Sequence, residues 1–247
     1  VARRGHRLAG TAQYVLALGT VEPRKNLPLL VDAFDRIADA HPDLHLVHAG
    51  GDGWDGGAFD LAVTQAAHRD RIVRLGYVDA TTRADLLAGA RAFAYPSRYE
   101  GFGFPPLEAM ANGVPVVATA VGSLPEVLGD GARLVPDGDP DALVDALTTV
   151  LAESATREDL VARGRAVAAR YTWAATLVPP NGASVLTPEN WVKSPNRTFP
   201  GVRGSTALFG MSAEVPVSAG AWQLGFATST VLPQDFAGAA APSPQWH

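Results

Sequence analysis

The stretch from Tyr99 to Gly113, YEGFGFPPLEAMANG, sets two carboxylates, Glu100 and Glu108, on either side of a turn rich in glycine, aromatics and proline. Upstream, LGTVEPRKN places two cations, Arg24 and Lys25, side by side. The two pairs suit opposite chemistry. Carboxylates repel phosphate but accept hydrogen bonds from ring hydroxyls. Cations where a strand feeds a helix reinforce unpaired backbone N–H groups, so that an anion is well held there. Lys25 is the only lysine before Lys193 in a chain that otherwise draws its positive charge from arginine, and lysine suits a point-charge contact to phosphate. Bland readings exist for both pairs: a solvated Arg-Lys loop, a solvated Glu100, and a Glu108 that gains about 0.3–1 kcal/mol in the first turn of a helix.

Which reading holds depends on the elements that carry these residues. Across the first 176 residues, short apolar runs alternate with helical patterns, the signature of βαβ units and a parallel sheet. The expected strands are YVLALG (14–19), LHLVHAG (44–50), RIVRLG (71–76), RAFAYPS (91–97), VPVVAT (114–119) and ARLV (132–135), mostly continuous apolar runs as expected when helices cover both sheet faces. LPLLVDAFDRIADA (27–40) reads as a helix with a stripe of Leu30, Val31, Phe34, Ile37 and Ala38. Capping-box-like pairs mark helix starts at Thr82 with Asp85, Ser123 with Glu126 and Thr156 with Asp159, and Asp139 before Pro140 reads as an N-cap. Pro105-Pro106 start another helix, with Glu108 in its first turn, and Asn112-Gly113 end it. Gly101 and Gly103 let the preceding loop approach a ligand closely.

Six such units predict an α/β, Rossmann-like, doubly wound parallel sheet whose ligands bind at the carboxyl ends of the strands, near the point where strand order reverses. Both the cationic loop and the acidic loop follow strands of that sheet. Cations for a diphosphate and carboxylates for sugars together suit a nucleotide sugar.

Composition divides the chain near residue 176. Residues 1–176 hold 39 of the 45 charged side chains, while 177–247 hold six and are rich in Pro, Gly, Ser and Ala. The expectation is two parts: 1–176 as the ligand-binding domain, and 177–247 as an irregular β-rich or disordered tail in which WVK, VRGSTALFG, EVPVSAG and AWQLGFATSTV are short strands and AGAAAPSPQWH is disordered. The net charge of −5 offers no footprint for nucleic acid. The absence of cysteine removes disulfides and thiolate sites and fits a reducing compartment. With no apolar run near the roughly 18–20 residues of a membrane span, the chain reads as soluble and cytoplasmic, with peripheral membrane contact left open.

Other constellations are weaker. Asp137-Gly138-Asp139 spells D-x-D, but Asp139 is better used as a cap; the six histidines show no ligand spacing, so no metal is expected. Asn196-Arg197-Thr198 is a chance sequon without a secretion signal. No G-x-S-x-G, P-loop or G-x-G-x-x-G is present.

EPRKN, GGDGW, LGYV, PSRYEGFGFPPLEAMANGVPVVAT and GSLPEV, in this order, resemble the C-terminal, donor-binding domain of GT-B-fold glycosyltransferases, in particular the retaining family 4 group, over about residues 8–175. The resemblance implies transfer of a hexose from a nucleotide sugar (UDP- or GDP-linked) to a glycan or lipid-linked acceptor, with retention and without an obligatory metal or cofactor. It implies that Arg24 and Lys25 bind the diphosphate and stabilise the departing nucleotide, that Glu100 holds the transferred sugar with the backbone of Phe102 and Gly103, and that Glu108 bonds the ribose. Gly19, Gly51, Gly76, Tyr77, Val78, Gly101 and Leu107 complete the donor site, those at Gly51 and Gly76–Val78 flanking the base.

Two departures keep other readings open. The similar enzymes have an N-terminal acceptor domain, whereas Val1 stands almost at the first strand; and after YTW the chain turns into Leu177-Val178-Pro179-Pro180, which cuts a helix short. A non-catalytic nucleotide- or partner-binding module is the main alternative. A sugar-stacking tail using Trp191, Trp222 and Trp246 is a second, and a GT-B epimerase or phosphorylase a third.

Overall fold

The computed structural model describes residues 2–54, 56–171, 207–210 and 227–230. Six strands, β1 (Tyr14–Leu18), β2 (His45–Ala49), β3 (Ile72–Arg74), β4 (Ala92–Tyr95), β5 (Val116–Thr119) and β6 (Ala132–Val135), form one sheet in the order β3-β2-β1-β4-β5-β6. Every pairing is parallel. This is the doubly wound arrangement expected from the alternating pattern, and the order reverses between β1 and β4. Loops leaving those two strands therefore diverge to opposite faces and open a crevice between them.

Helices cover both faces: α1 (Ala2–Ala9), α2 (Leu27–Ile37), α3 (Gly56–Gln65), α4 (Ala80–Gly89), α5 (Phe104–Ala111), α6 (Leu124–Leu128), α7 (Pro140–Ala152) and α8 (Ser154–Ala168). Alternation along each strand sorts the core into two layers. Val15 and Ala17 of β1 join Leu30, Phe34, Leu143 and Leu147 on the side of α2 and α7; Tyr14, Leu16 and Leu18 join Leu86, Phe93 and Met110 on the side of α4 and α5. The stripe of Leu30, Val31, Phe34, Ile37 and Ala38 is buried as its spacing predicts.

Local details differ from the sequence expectation. A helix, α1, precedes the first strand; Arg4 pairs with Asp85 of α4 at 3.3 Å, and a side chain at Gly5 would lie 2.2 Å from the Asp85 carbonyl oxygen. Helix α4 is capped by Asp79, which accepts from the Thr82 N–H at 2.7 Å, so Thr82 lies inside the first turn and Asp85 is buried. Thr156 likewise lies within α8 and donates to Glu153 at 2.6 Å. Ser123 does precede α6, but its hydroxyl donates to the Glu100 carbonyl at 3.2 Å rather than capping the helix. Asp139 caps α7 by accepting from the Ala142 N–H at 2.9 Å. Glu108 is the fifth residue of α5, whose first turn contains no acid, so macrodipole stabilisation does not explain it.

The chain divides into two compact units, Val1–Thr176 and Leu177–His247. In the second, β7 (Ala207–Gly210) pairs antiparallel with β8 (Ala227–Thr230), inside VRGSTALFG and AWQLGFATSTV. The strand expectations for WVK and EVPVSAG, the disorder expected of AGAAAPSPQWH, the sequon at Asn196 and the tryptophans Trp191, Trp222 and Trp246 lie outside the described residues. Among the described residues no helix is long and apolar enough to cross a membrane.

Two substitutions rank the forces in the sheet domain. Phe34→Ala, at 1% exposure, is expected to cost about 3–5 kcal/mol, and Asp139→Ala about 1 kcal/mol through loss of the cap. Urea unfolding of the two variants gives the comparison, and a Phe34→Ala penalty no larger than that of Asp139→Ala would contradict this core assignment.

Candidate functional site

The crevice between β1 and β4 is lined from both sides. After β1 the chain makes a one-turn 3-10 helix at Pro23–Lys25, then a left-handed residue, Asn26 (φ 51°), before α2 begins. Asn26 is the only non-glycine with positive φ among the described residues. This kink lets the cations sit on a short turn of their own rather than in the first turn of α2, as the strand-to-helix reading implied. After β4 the loop 96–103 carries Glu100 and ends at Gly103 (φ 95°), where a Cβ would stand 2.5 Å from Leu124 Cδ2.

Three of the expected site residues meet here. Lys25 Nζ donates to Glu100 Oε1 at 2.7 Å, and Arg24 Nη1 donates to the same oxygen at 2.8 Å. Arg24 also pairs with Glu22 at 2.7 Å. Tyr95, the last residue of β4, accepts from Lys25 Nζ at 2.6 Å, and the ammonium lies 4.5 Å from its ring centroid. The Lys25 and Glu100 side chains are 9% and 8% exposed, whereas Arg24 is 41% exposed. Glu100 is fixed through its main chain as well, its carbonyl accepting from the Ser123 N–H at 3.1 Å.

Burial opposes the charge on Glu100, but the hydrogen bond and charge of Lys25, with help from Ser97 and Tyr95, hold its carboxyl below the usual carboxylate range. Burial likewise pushes Lys25 below its ordinary value, against the pull of Glu100. For Arg24 burial is outweighed by Glu100 and Glu22, and its value rises. Tyr95 is pushed up by burial and by the Glu100 charge, so it remains a neutral phenol.

The remaining expected residues spread along the same edge of the sheet. Gly19 closes β1, and its carbonyl faces His48 Nε2 at 2.9 Å. The Gly51 carbonyl accepts from the Val21 N–H at 3.0 Å, and the Gly76 carbonyl from the Gly50 N–H at 2.8 Å, so the loops after β1, β2 and β3 are stitched together. Tyr77 is exposed and Val78 half-buried. Phe102 packs on Phe104 with centroids 4.6 Å apart, beside Gly101, while the Leu107 side chain is buried in the core. Glu108 stands apart from the cations: it pairs with Arg83 of α4 at 3.5 Å, and burial raises its carboxyl against the Arg83 charge.

Sequence reasoning passed over Glu22, Tyr95 and His48. Glu22 and Tyr95 were legible: one adjoins the cations, and the other is a polar atom ending the apolar run of β4. His48 is buried beneath the β1 loop, edge-on to Phe59 at 5.2 Å. Burial holds it below the usual histidine value; the Gly19 carbonyl and Asp52 oppose that shift, and Arg74 adds to it. A depressed folded-state value means that the unfolded chain binds the proton more readily, so the His48 contribution to folding is fully present above about pH 6.5 and is lost as pH falls from there through the lower folded-state value.

Two expectations follow. Glu100→Gln, which strands buried Lys25, should lower stability by about 3 kcal/mol, read by denaturant unfolding at pH 7; an unchanged midpoint would show that the pair is not coupled. In His48→Gln the loss of stability between pH 7 and 5 should be shallower than in the unsubstituted chain, and parallel curves would refute the assignment.

Known proteins place the chain. O-antigen chain mannosyltransferase B of Escherichia coli is 40% identical over 161 residues, 65% of this chain and 42% of the relative. Phosphatidyl-myo-inositol mannosyltransferase of Mycobacterium tuberculosis is 37% identical over 168 residues, 64% of this chain and 43% of the relative. This chain thus spans about two-fifths of the length of these two relatives. Among solved structures, sucrose-phosphate synthase from Thermosynechococcus elongatus superposes with a TM-score of 0.60 at 30% identity, covering 71% of this chain and 46% of that one. The C-terminal domain of the group 1 glycosyl transferase LpcC from Francisella tularensis gives 0.61 at 21% identity, covering 69% and 92%, a likeness of fold. The family model of glycosyl transferases group 1 matches residues 2–167, which take in every strand of the sheet and each of Arg24, Lys25, Glu100 and Glu108; the chain belongs to that family and carries a GT-B glycosyltransferase domain.

Proposed function

We propose that this chain supplies the donor-binding part of a retaining, family 4-like glycosyltransferase that moves a hexose from a nucleoside diphosphate to a glycan or lipid-linked acceptor in the cytoplasm. The observation that carries the proposal is the meeting of Arg24 and Lys25, from the β1 loop, with Glu100, from the β4 loop, at the strand-order reversal. Mannose is the sugar we favour, because relatives at 40% and 37% identity are named mannosyltransferases.

In this reading the bond between the anomeric carbon and the phosphate oxygen breaks and the electron pair stays on the nucleoside diphosphate, while an acceptor hydroxyl oxygen bonds to the anomeric carbon on the same face and gives its proton to the departing diphosphate. Arg24 and Lys25 oppose that growing charge, a contact whose loss typically costs a few kcal/mol in the barrier. Glu100 accepts from a hydroxyl of the transferred sugar, and the Phe102 and Gly103 backbone closes over it. Glu108 accepts from the ribose, and the loops at Gly51 and Gly76–Val78 border the base; Gly19, Gly101 and Leu107 complete the donor site.

The pairing of these charges also constrains how a diphosphate enters. Arg24 and Lys25 are balanced by Glu22 and Glu100, so the incoming anion must take a cation from an acid. Arg24 is the one able to turn, being 41% exposed and held by Glu22 from outside. Lys25, buried between Tyr95 and Glu100, stays in place.

Calorimetric titration with UDP, GDP and their sugars tests the proposal. Lys25→Ala and Arg24→Ala should each weaken binding ten- to hundredfold, and Glu22→Gln should tighten it several-fold by removing a competitor. If no nucleotide binds, the donor-site reading fails; nucleotide binding without sugar transfer when an N-terminal acceptor domain is supplied would make the chain a binding module instead.

A further inference from the structure

A second cationic cluster lies on the opposite edge of the sheet. Arg91 directly precedes β4 and Pro115 directly precedes β5, so both sit at the amino ends of their strands, away from the crevice at the carboxyl ends of β1 and β4. Together with Gly113, Arg157, Glu158 and Arg165 they line a pocket of about 330 Å³. We propose that this pocket binds a small anion bearing a phosphoryl group, independently of the donor site.

Three features support the assignment. Arg157 Nη1 is buried and has no hydrogen-bond partner among the described residues. A guanidinium N–H removed from water with nothing to donate to is costly, and an arriving oxyanion would satisfy it. Next, Arg91, Arg157 and Arg165 form no ion pair within 4.0 Å among the described residues, although six other arginines (Arg4, Arg24, Arg36, Arg74, Arg83 and Arg163) do. Among the described residues the Arg91 guanidinium has one hydrogen bond, to the Leu151 carbonyl at 3.3 Å. Finally, the Arg165 guanidinium lies against the backbone of Gly113 (φ 73°), where a Cβ would come within 2.3 Å of Nη2. The missing side chain there lets the guanidinium enter the pocket.

The charges indicate the ligand class. Three guanidiniums and the single carboxylate of Glu158 leave a formal +2, and burial together with the neighbouring Arg157 charge pushes Arg91 below its ordinary value. A neutral sugar relieves none of this repulsion and a monocarboxylate half of it. A phosphate monoester brings about two negative charges and oxygens that match the planar guanidinium fork. The volume also exceeds that of one phosphate, leaving room for the group the phosphate is attached to.

Calorimetric titration of the full chain with inorganic phosphate tests the proposal. Arg157→Met and Arg165→Gln should each weaken, tenfold or more, a phosphate site that Arg24→Ala leaves intact. Without phosphate, Arg157→Met should melt no lower than the parent chain, because it keeps the apolar stem and removes a repelling charge; should it fail to fold, the exposed Arg165 gives the same reading. Co-sedimentation with phosphatidic acid vesicles but not phosphatidylcholine vesicles, lost in Arg165→Gln, would assign the phosphoryl group to a lipid headgroup, and phosphate binding without co-sedimentation to a soluble ester. Absence of phosphate binding, or a single phosphate site lost in Arg24→Ala and untouched in Arg157→Met and Arg165→Gln, would overturn the inference.

Discussion

One oxygen atom organises the crevice. Glu100 Oε1 accepts from both Lys25 and Arg24, and the Lys25 and Glu100 side chains are almost wholly removed from water. Neither charge is tolerable there without the other, since an unpaired ion in such a setting costs several kcal/mol. The contact therefore fixes more than a local geometry: it ties the loop after β1 to the loop after β4, 75 residues apart in sequence, and so sets the width of the site. Tyr95 completes the arrangement by giving the ammonium an oxygen and a ring face.

That contact is possible because of the sheet. In a parallel sheet whose order reverses between β1 and β4, the crossovers from these neighbouring strands run to opposite faces, and the backbone leaves a gap at their carboxyl ends. The β1 loop fills part of the gap with a short turn and the left-handed Asn26. Buried layers on both faces, one with Phe34 and Leu143 and the other with Phe93 and Met110, keep the strands from shifting under the loops. The scaffold and the charge pair thus support each other: packing sets where the loops begin, and the ion pair sets where they meet.

How much of this was readable in the residues depended on the signal. The strands were legible because both faces are covered, which makes them continuous apolar runs bounded by glycine or proline. Helix α1 was not: ARRGHRLA is polar and has glycine at its centre, and it is helical because Gly5 fits against the Asp85 carbonyl and Arg4 reaches the Asp85 carboxylate, facts of tertiary packing. Caps were misplaced where two acceptors competed. Asp79 and Thr82 lie three residues apart, and the carboxylate is the better acceptor for the exposed N–H. Three site residues, Arg24, Lys25 and Glu100, could be named in advance from type and position. The partners that hold them, Glu22 and Tyr95, left a signal in the sequence, one adjoining the cations and the other ending an apolar run, but their part is defined by distance rather than by motif and so was passed over.

The balanced charge of the crevice side chains has a kinetic side. Two acids cancel two bases within a few ångströms, and the chain as a whole carries −5. Such a surface projects little attractive field beyond a Debye length of roughly 8–10 Å. A diphosphate approaching from bulk solvent would therefore not be drawn in from afar, and its capture would rest on random encounter followed by local exchange of partners. The rate of that capture would change little with ionic strength, in contrast to the steep dependence of electrostatically steered association.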